Sequence, residues 1–274
     1  MTRAEGELHS AIEKDIYLRM KNIPNLFTLL NLFFGCIAVI FILQNGIGIL
    51  YSPDGAQYIG MPEKIWVASL FIGLAALVDF LDGLVARMFK ATSPLGKQLD
   101  SLADVVSFGV APGMILYQAL RMSFAGQEDG LDVSVLWFLP ALLFPCAAAY
   151  RLARFNIDES QQYGFKGVPA PAAGLLIASL PLISWYSTNH TVTGALQNKW
   201  VLYGLILVVG YLMISKLPLM ALKFKDYSIR GNMPKLVLLL LALLSAIFLK
   251  WLAVPLVFVF YIIVSLLTAK RNLS

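Results

Sequence analysis

The sequence is poor in charged residues, in cysteine and in histidine. Only 14% of its 274 residues are Asp, Glu, Lys or Arg, whereas about 25% is usual for a soluble domain. The two cysteines, Cys36 and Cys146, and the two histidines, His9 and His190, are too few and too scattered for a disulfide framework or a zinc site. Both cysteines lie in apolar segments, and we expect them to be small core residues.

Long apolar runs recur along the chain, and 59% of the residues are hydrophobic. A helix of about 20 apolar residues is long enough to cross a bilayer. We therefore predict an all-α protein, a polytopic integral membrane helical bundle with about eight transmembrane helices. The seventh is short and joins the eighth through a tight hairpin at Lys250-Trp251, and the sixth has an alternative early end near Pro218. The predicted spans are about 26–44, 65–87, 98–121, 135–155, 171–187, 200–220, 234–249 and 251–269.

Residues 1–24 precede the first predicted span. Ile12, Ile16 and Met20 recur there at helical spacing among charged residues. This pattern predicts a short amphipathic helix that lies on the membrane surface. A helix exposed to solvent is the alternative.

Basic residues are distributed unevenly over the two sides of the predicted bundle. With the N-terminus inside and eight spans, 17 of the 21 Lys and Arg residues lie on the inner side. The outer side keeps Lys64, Arg121, Lys199 and Lys250. Because such an excess marks the cytoplasmic side, we predict a protein of the cytoplasmic membrane with both termini in the cytoplasm. The same bias accounts for the net charge of +5, so we expect no nucleic-acid partner.

Four carboxylates, those of Asp79, Asp82, Asp100 and Asp104, lie inside or beside otherwise apolar segments. An ionisable side chain at that depth costs about 3 kcal/mol or more, so it indicates a functional site. The first two are three residues apart and the last two are four apart, which places each pair on one face of a helix. Four facing carboxylates repel one another unless cations lie between them. Oxygen ligands of this kind suit magnesium, manganese or calcium.

The residues around the carboxylates favour a ligand site at a membrane surface. Gly83 and Ala86 continue the face of the first pair with almost no side chain, which lets a ligand approach the backbone. A short turn at 91–96 folds the second pair back against the first. Because this turn is on the inner side of the predicted bundle, the sequence predicts a divalent-metal site that opens toward the cytoplasm.

The stretch from Asp79 to Asp104 reads D-x2-D-G-x2-A-R-x8-G-x3-D-x3-D. This pattern resembles the signature of the CDP-alcohol phosphatidyltransferase family, and every fixed position of the signature is filled. Members of the family replace the CMP of a CDP-linked lipid or alcohol with a hydroxyl-bearing acceptor. The resemblance implies a six-helix core, two divalent cations (Mg2+ or Mn2+) and a homodimer. We accordingly expect a cytoplasmic juxtamembrane segment at 1–24, a phosphatidyltransferase core at 25–220 and a C-terminal helical hairpin at 221–274.

The same resemblance implies roles for individual residues. Asp79, Asp82, Asp100 and Asp104 are expected to bind metal, and Asp104 is also the expected general base that takes the proton of the acceptor hydroxyl. Arg87 is expected to hold a phosphate, with pairing to an aspartate or extension to the membrane surface as alternatives. Helix capping is the alternative role for Asn25 and Thr28. The residues expected to contact CDP are Asn25, Thr28, Asp82, Gly83, Ala86, Arg87, Ser93 and Gly96.

A second stretch, Arg151 to Ala173, indicates the acceptor. It contains R-x2-R-F-N and F-x-G-x-P-x-P-A-A, and together with the opening I-P-N-x2-T-x2-N-x3-G it resembles the membrane-embedded phosphatidylserine synthases of the family. The resemblance implies CDP-diacylglycerol and serine as substrates, with membrane lipid as a further partner. Cations at the cytoplasmic end of the fourth span can hold the carboxylate of serine. The expected acceptor-binding residues are Arg151, Arg154, Asn156 and Lys166.

Other interpretations of these residues stay open. The arginines also suit the phosphate of glycerol 3-phosphate or of an inositol phosphate, and ordinary positive-inside charge is a further alternative for them. The lipid can carry acyl chains or ether-linked isoprenoid chains. A divalent-cation transporter would also use intramembrane carboxylates, but it favours broken helices near the bilayer midplane and an internal repeat. The sequence has no evident repeat.

Overall fold

The computed structural model describes residues 24–44, 48–51, 57–60, 64–88, 93–126, 132–158, 165–220 and 229–271. The amphipathic helix predicted within residues 1–24 lies outside this part of the chain, except for Pro24, which begins the first helix. The described helices, numbered in chain order, are α1 (Pro24–Leu43), α2 (Ile65–Met88), α3 (Pro94–Asp104), α4 (Ala111–Ala125), α5 (Leu143–Ile157), α6 (Ala170–Tyr186), α7 (His190–Leu196), α8 (Lys199–Ile214), α9 (Ile229–Leu249) and α10 (Ala253–Arg271).

Two short antiparallel ribbons accompany the helices. The first joins β1 (Gly48–Tyr51) to β2 (Gln57–Gly60) in the connection between α1 and α2. The second joins β3 (Phe165–Lys166) to β4 (Pro218–Leu219), with Lys166 opposite Pro218. The β3–β4 ribbon connects the entrance of α6 to the segment that follows α8, and it bears on the candidate site.

Four of the described helical segments are long and apolar enough to cross a membrane: Pro24–Leu43, Ile65–Met88, Pro94–Ala125 and Asn232–Thr268. A fifth results if α7 and α8, which are bent by 67° at their junction, form one span. These segments confirm the prediction of a helical membrane protein.

The segment Asn232–Thr268 turns back on itself in its middle. A straight helix of its 37 residues would be about 55 Å long, far longer than the roughly 30 Å hydrocarbon core of a bilayer. A 3-10 turn at Lys250–Leu252 separates α9 from α10, and Lys250 has a φ of 51°. Because α10 also packs against α9, the two helices form a hairpin at the place that the sequence predicts.

α3 continues into α4 through a π-helix, Val105–Val110, which begins directly after Asp104. π-Helical turns inside α-helices are frequent at functional sites. This one packs against α5 and α6. A Cβ atom at Gly174 of α6 would lie 3.0 Å from Cα of Phe108. Glycine at this position therefore lets α6 approach the backbone that carries Asp104.

α6 is the centre of the bundle. Eleven of its 17 residues are buried, and it packs against α2, α4, α5, α8 and α10. The surrounding core contains large side chains that are fully buried, among them Phe108, Phe144, Ile177 and Ile206. This core fixes the relative positions of the helices that carry the carboxylates.

One expectation from the sequence is wrong, and one of its alternatives is favoured. Cys36 and Cys146 are exposed free cysteines, not core residues. An apolar neighbourhood does not separate core from lipid-facing positions, because both are apolar in a membrane protein. The helix of the sixth predicted span ends at Ile214, which favours the alternative early end near Pro218, since Pro218 disfavours helix before it and the chain there enters β4.

Candidate functional site

The cytoplasmic ends predicted for the second and third spans carry the four carboxylates. Asp79 and Asp82 lie on α2, and Asp100 and Asp104 lie on α3. Carboxylate oxygens of Asp79, Asp100 and Asp104 lie within 4.8 Å of one another. Asp104 is only 6% exposed. A cluster of three such groups in an apolar bundle fits a hard divalent cation, because oxygen ligands and negative charge are what magnesium and manganese prefer.

Asp82 lies one turn further along α2 than Asp79, outside the cluster of three. Its Oδ2 accepts a short hydrogen bond from the hydroxyl of Thr28 on α1. The same hydroxyl lies 3.2 Å from the carbonyl oxygen of Pro24. Because a hydroxyl has a single hydrogen, these two bonds are alternatives. Thr28 therefore ties the beginning of α1 to Asp82.

Asn31 is a member of the site that the sequence analysis did not assign. Its Nδ2 donates a 3.1 Å hydrogen bond to Oδ1 of Asp104, and its backbone carbonyl oxygen accepts a 3.0 Å bond from the hydroxyl of Ser107. Asn31 is fully buried, and within the described part of the chain its Oδ1 has no hydrogen-bond partner. The signal was present in the sequence, since Asn31 follows Thr28 by three residues and so shares its helix face.

A cavity of about 830 Å³ opens between α1, α2 and α3. Its walls bring together the carboxylates of Asp79, Asp82 and Asp100 with small residues and with polar groups from three helices. Within the described residues, and apart from the adjoining backbone of α2 itself, no atom lies within 4 Å of the place where a Cβ of Gly83 would be. All of the residues that the sequence analysis assigned to CDP line this cavity: Asn25, Thr28, Asp82, Gly83, Ala86, Arg87, Ser93 and Gly96.

The N-terminus of α3 forms one wall of the cavity. Ser93 is the N-cap, and its hydroxyl oxygen accepts a 2.9 Å bond from the backbone N–H of Gly96. A Cβ at Gly96 would lie 3.0 Å from Oδ1 of Asn25 and 3.1 Å from Oγ of Ser93, so glycine allows this wall to be closely packed. The first backbone N–H groups of a helix favour anionic ligands such as phosphates.

Arg151 is the expected acceptor residue that the structure brings to the aspartates. It lies on α5, is 7% exposed, and has its guanidinium 5.3 Å from the ring centre of Phe155. Its guanidinium is close enough to the carboxylate of Asp104 for an electrostatic interaction. A buried cation beside the carboxylate cluster can bind an anionic group of a small substrate.

The other three expected acceptor residues, Arg154, Asn156 and Lys166, make polar contacts with other groups of the protein. Arg154 donates through its two Nη atoms to the carbonyl oxygens of Ile214 (2.8 Å) and Ser215 (3.2 Å). Arg154 therefore satisfies backbone carbonyls at the end of α8.

Asn156 belongs to a polar network between α5 and α3. Its Nδ2 donates a 2.7 Å bond to the hydroxyl of Ser101, and its backbone carbonyl oxygen accepts a 2.7 Å bond from Nζ of Lys97. Lys166, at the end of β3, forms a 3.0 Å ion pair with Asp158. The described structure thus places Arg154 and Lys166 near the β3–β4 ribbon and Asn156 against α3, and none of the three is in the wall of the large cavity.

Comparisons with known proteins agree with this arrangement. The sequence model of the CDP-alcohol phosphatidyltransferase family matches residues 21–221. A CDP-diacylglycerol–serine O-phosphatidyltransferase of Helicobacter pylori is 34% identical over 230 residues, which are 83% of this chain and 81% of the relative. Proteins of the same name from Bacillus subtilis and Methanocaldococcus jannaschii are each 37% identical. The first match covers 43% of this chain and 62% of the relative, and the second covers 53% and 59%. The resemblance inferred from the carboxylate motif is confirmed, and the chain belongs to the CDP-alcohol phosphatidyltransferase family.

Proposed function

We propose that the protein is a metal-dependent CDP-diacylglycerol–serine O-phosphatidyltransferase. It transfers the phosphatidyl group of CDP-diacylglycerol to the hydroxyl of L-serine, which gives phosphatidylserine and CMP for phospholipid biosynthesis. The observation that carries the proposal is the large cavity, because it combines three of the four acidic residues of the family signature, Asp79, Asp82 and Asp100, with glycines and with the N-terminus of α3. The names of the relatives support serine as the acceptor.

The reaction is a displacement at the phosphorus atom that bears the diacylglycerol. A bond forms between the serine hydroxyl oxygen and this phosphorus, and the bond from the phosphorus to the bridging oxygen of CMP breaks. CMP leaves with the electron pair of that bond. Asp104 takes the proton of the hydroxyl as general base, and the hydrogen bond from Asn31 holds its carboxylate in one orientation. Transfer of this kind depends mainly on positioning and on neutralisation of charge.

The carboxylate cluster supports two divalent cations, Mg2+ or Mn2+, as cofactors. Asp79, Asp82, Asp100 and Asp104 are the proposed ligands, and three of them already share one small volume. When bound, the cations neutralise the diphosphate and stabilise the departing CMP. The clustering of these carboxylates in an apolar bundle supports this proposal, since their mutual repulsion needs a compensating positive charge.

The cavity walls suit the cytidine diphosphate part of the lipid substrate. Gly83 and Ala86 leave room for the nucleotide, and Asn25, Thr28 and Ser93 offer polar contacts to it. We assign the phosphate oxygens to Arg87 and to the N-terminus of α3, both of which line the cavity. The exposed ring of Phe80 at the same cavity provides an apolar boundary toward the lipid.

Serine is the proposed acceptor, with Arg151 as the cation that binds its carboxylate. The burial of Arg151 near Asp104 supports this assignment. The acceptor-binding region around Arg151 is completed by Arg154, Asn156 and Lys166. Glycerol 3-phosphate or an inositol phosphate is the alternative, since either would use the same cation. Incorporation of radiolabelled serine into lipid by the purified protein, dependent on CDP-diacylglycerol, tests the choice.

We propose that the protein crosses the cytoplasmic membrane eight times, with both termini in the cytoplasm. The eight apolar runs and the excess of inner Lys and Arg support this topology. The proposed catalytic core is 25–220, the C-terminal hairpin lies within 221–274, and 1–24 is the juxtamembrane segment expected from the sequence. A homodimer is the proposed assembly. With the exposed Cys36 and Cys146 replaced by alanine, the accessibility of single cysteines introduced at Lys64 or Lys97 tests the orientation, since these residues fall on opposite predicted sides.

A divalent-cation transporter is the alternative from another class. It would carry Mn2+ into sealed liposomes without CDP-diacylglycerol. The proposed function predicts no such uptake, because the carboxylates serve a reaction at one membrane surface.

A further inference from the structure

We propose that the C-terminal hairpin helps to form the acceptor-binding region, and that Tyr261 on α10 positions that region. Tyr261 acts through the β3–β4 ribbon and not by contact with the reacting atoms. This inference rests on the proposed function. It concerns a part of the chain that lies beyond the family match, which ends at residue 221.

The first step is the contact of Tyr261 with the segment after α8. Its side chain is 7% exposed, and its hydroxyl donates a 3.0 Å hydrogen bond to the carbonyl oxygen of Met220, 41 residues away. Met220 directly follows β4. α10 also packs against β4 and against α6. The hairpin is therefore joined to β4 by both packing and a directed polar contact.

The second step is the connection from β4 to the entrance of α6. β4 pairs with β3, and this places Lys166 opposite Pro218. The N–H of Gly167 donates to the carbonyl oxygen of Leu217 at 2.9 Å. Lys166 belongs to the predicted acceptor residues, so its backbone position depends on where β4 lies.

The third step is the position of the predicted acceptor cations around the same ribbon. Arg154 binds the carbonyl oxygens of Ile214 and Ser215, just before β4. The hydroxyl of Tyr261 is close enough to Arg151 for an electrostatic interaction. Tyr261 thus binds the residue after the ribbon and is also near the buried arginine that we assign to the serine carboxylate.

Removal of the hydroxyl should loosen the ribbon without changing the shape of the aromatic ring. Tyr261→Phe keeps the packing of α10 and removes the donor to Met220. A single hydrogen bond of this kind changes an equilibrium by about two- to tenfold. We expect KM for serine to rise by this factor, while kcat at saturating serine and KM for CDP-diacylglycerol stay within twofold of the wild type.

Tyr203→Phe is the matched control. The Tyr203 hydroxyl also donates to a backbone carbonyl, that of Trp137, at 2.7 Å. It lies 11 residues before Ile214 on α8, which is about 17 Å along the helix axis. Both variants lose a hydrogen bond from a tyrosine hydroxyl to a backbone carbonyl, that of Tyr203 at a more exposed position, but only Tyr261→Phe loses one at the ribbon. All three proteins are measured full length in detergent, with CDP-diacylglycerol and Mn2+.

A second experiment tests whether Tyr261 acts through the ribbon. Lys166→Gln and the double variant with Tyr261→Phe complete a double-mutant cycle for serine KM. If the ribbon transmits the effect, the two substitutions together raise KM by less than the product of their separate factors. Multiplied factors would overturn the positioning route.

Three results would overturn the inference itself. The first is an unchanged serine KM in Tyr261→Phe. The second is an equal change in Tyr203→Phe. The third is a parallel loss of kcat and of both affinities together with a lower melting temperature, which indicates a merely structural role. If the wild type uses glycerol 3-phosphate instead of serine, the proposed function fails, and KM for glycerol 3-phosphate then tests Tyr261 in the same way.

Discussion

Nδ2 of Asn31 lies 3.1 Å from Oδ1 of Asp104 and donates a hydrogen bond to it across the contact between α1 and α3. Both side chains are buried. The bond joins an unassigned polar residue of the first helix to the proposed general base. It explains why a bundle of apolar helices retains an amide at this depth, where an unsatisfied polar group is costly.

Asn31→Leu removes this hydrogen bond at nearly constant volume. Loss of a residue that orients an active-site ligand typically costs about 10- to 100-fold in activity, so we expect kcat to fall by that factor. Asn31→Asp should be at least as harmful, because it adds a fifth negative charge beside the cluster. Steady-state CMP release is the measurement.

Gln118→Leu is the control for Asn31. Gln118 is also a buried amide that donates to another helix, at 3.0 Å to the carbonyl oxygen of Ile42. It is 14 residues beyond Asp104, about 21 Å along the chain of helices. Equal losses of kcat in Asn31→Leu and Gln118→Leu would show that Asn31 has only a structural role.

Filling the cavity at Gly83 should weaken binding of the nucleotide lipid and leave the fold intact. Gly83 and Gly204 both have open space where a Cβ would be, as far as the described residues show. Gly83→Leu is therefore expected to raise KM for CDP-diacylglycerol at least tenfold, whereas Gly204→Leu, on the distant α8, leaves it unchanged. An unchanged KM for CDP-diacylglycerol in Gly83→Leu would contradict the assignment of nucleotide binding to this cavity.

Divalent metal should stabilise the folded protein through the carboxylate cluster. A ligand that binds only the folded state at 100 times its Kd adds about 2.7 kcal/mol, and we expect Mn2+ to raise the melting temperature by several degrees. Asp100→Asn should abolish most of that shift. Asp132→Asn, at an exposed aspartate outside the cluster, should keep it. A full shift in Asp100→Asn would contradict the proposed ligand set.

Gly167→Ala should destabilise the protein at the entrance of α6. Gly167 has a φ of +81°, and a Cβ there would lie 2.5 Å from the carbonyl oxygen of Met213. We expect a loss of about 1–3 kcal/mol, the usual cost of a strained backbone. Gly194→Ala, in α7 with open space around it, should be neutral or slightly stabilising. Thermal unfolding in detergent compares the two, and equal melting temperatures would be the contrary result.

Much of the fold follows from local features of the sequence. Each predicted span overlaps a helix, because a long apolar run has few alternatives to a helix in a membrane. The signature residues were also predictable, since the spacing of Asp79 with Asp82, and of Asp100 with Asp104, already places each pair on one face. The cavity then collects residues that the motif had grouped along the chain.

Features that depend on contacts between distant segments were not predictable. The pairing of β4 with β3 was not visible, because a ribbon of only two residues per strand has no pattern of its own. Asn31 was visible as a polar residue in an apolar helix, but its partner Asp104 is 73 residues away. The exposure of Cys36 and Cys146 depends on which helix face meets lipid, and composition does not reveal that.

The central claim is that the carboxylate site transfers a phosphatidyl group to serine. The most direct test is CMP release by the purified protein in detergent, with CDP-diacylglycerol and Mn2+ or Mg2+. Serine, glycerol 3-phosphate, inositol and inositol phosphate are each supplied separately, and Asp104→Asn is the inactive control. We predict release with serine alone and none in Asp104→Asn. Release only with another acceptor would contradict serine as the substrate, and full release by Asp104→Asn would contradict the proposed general base.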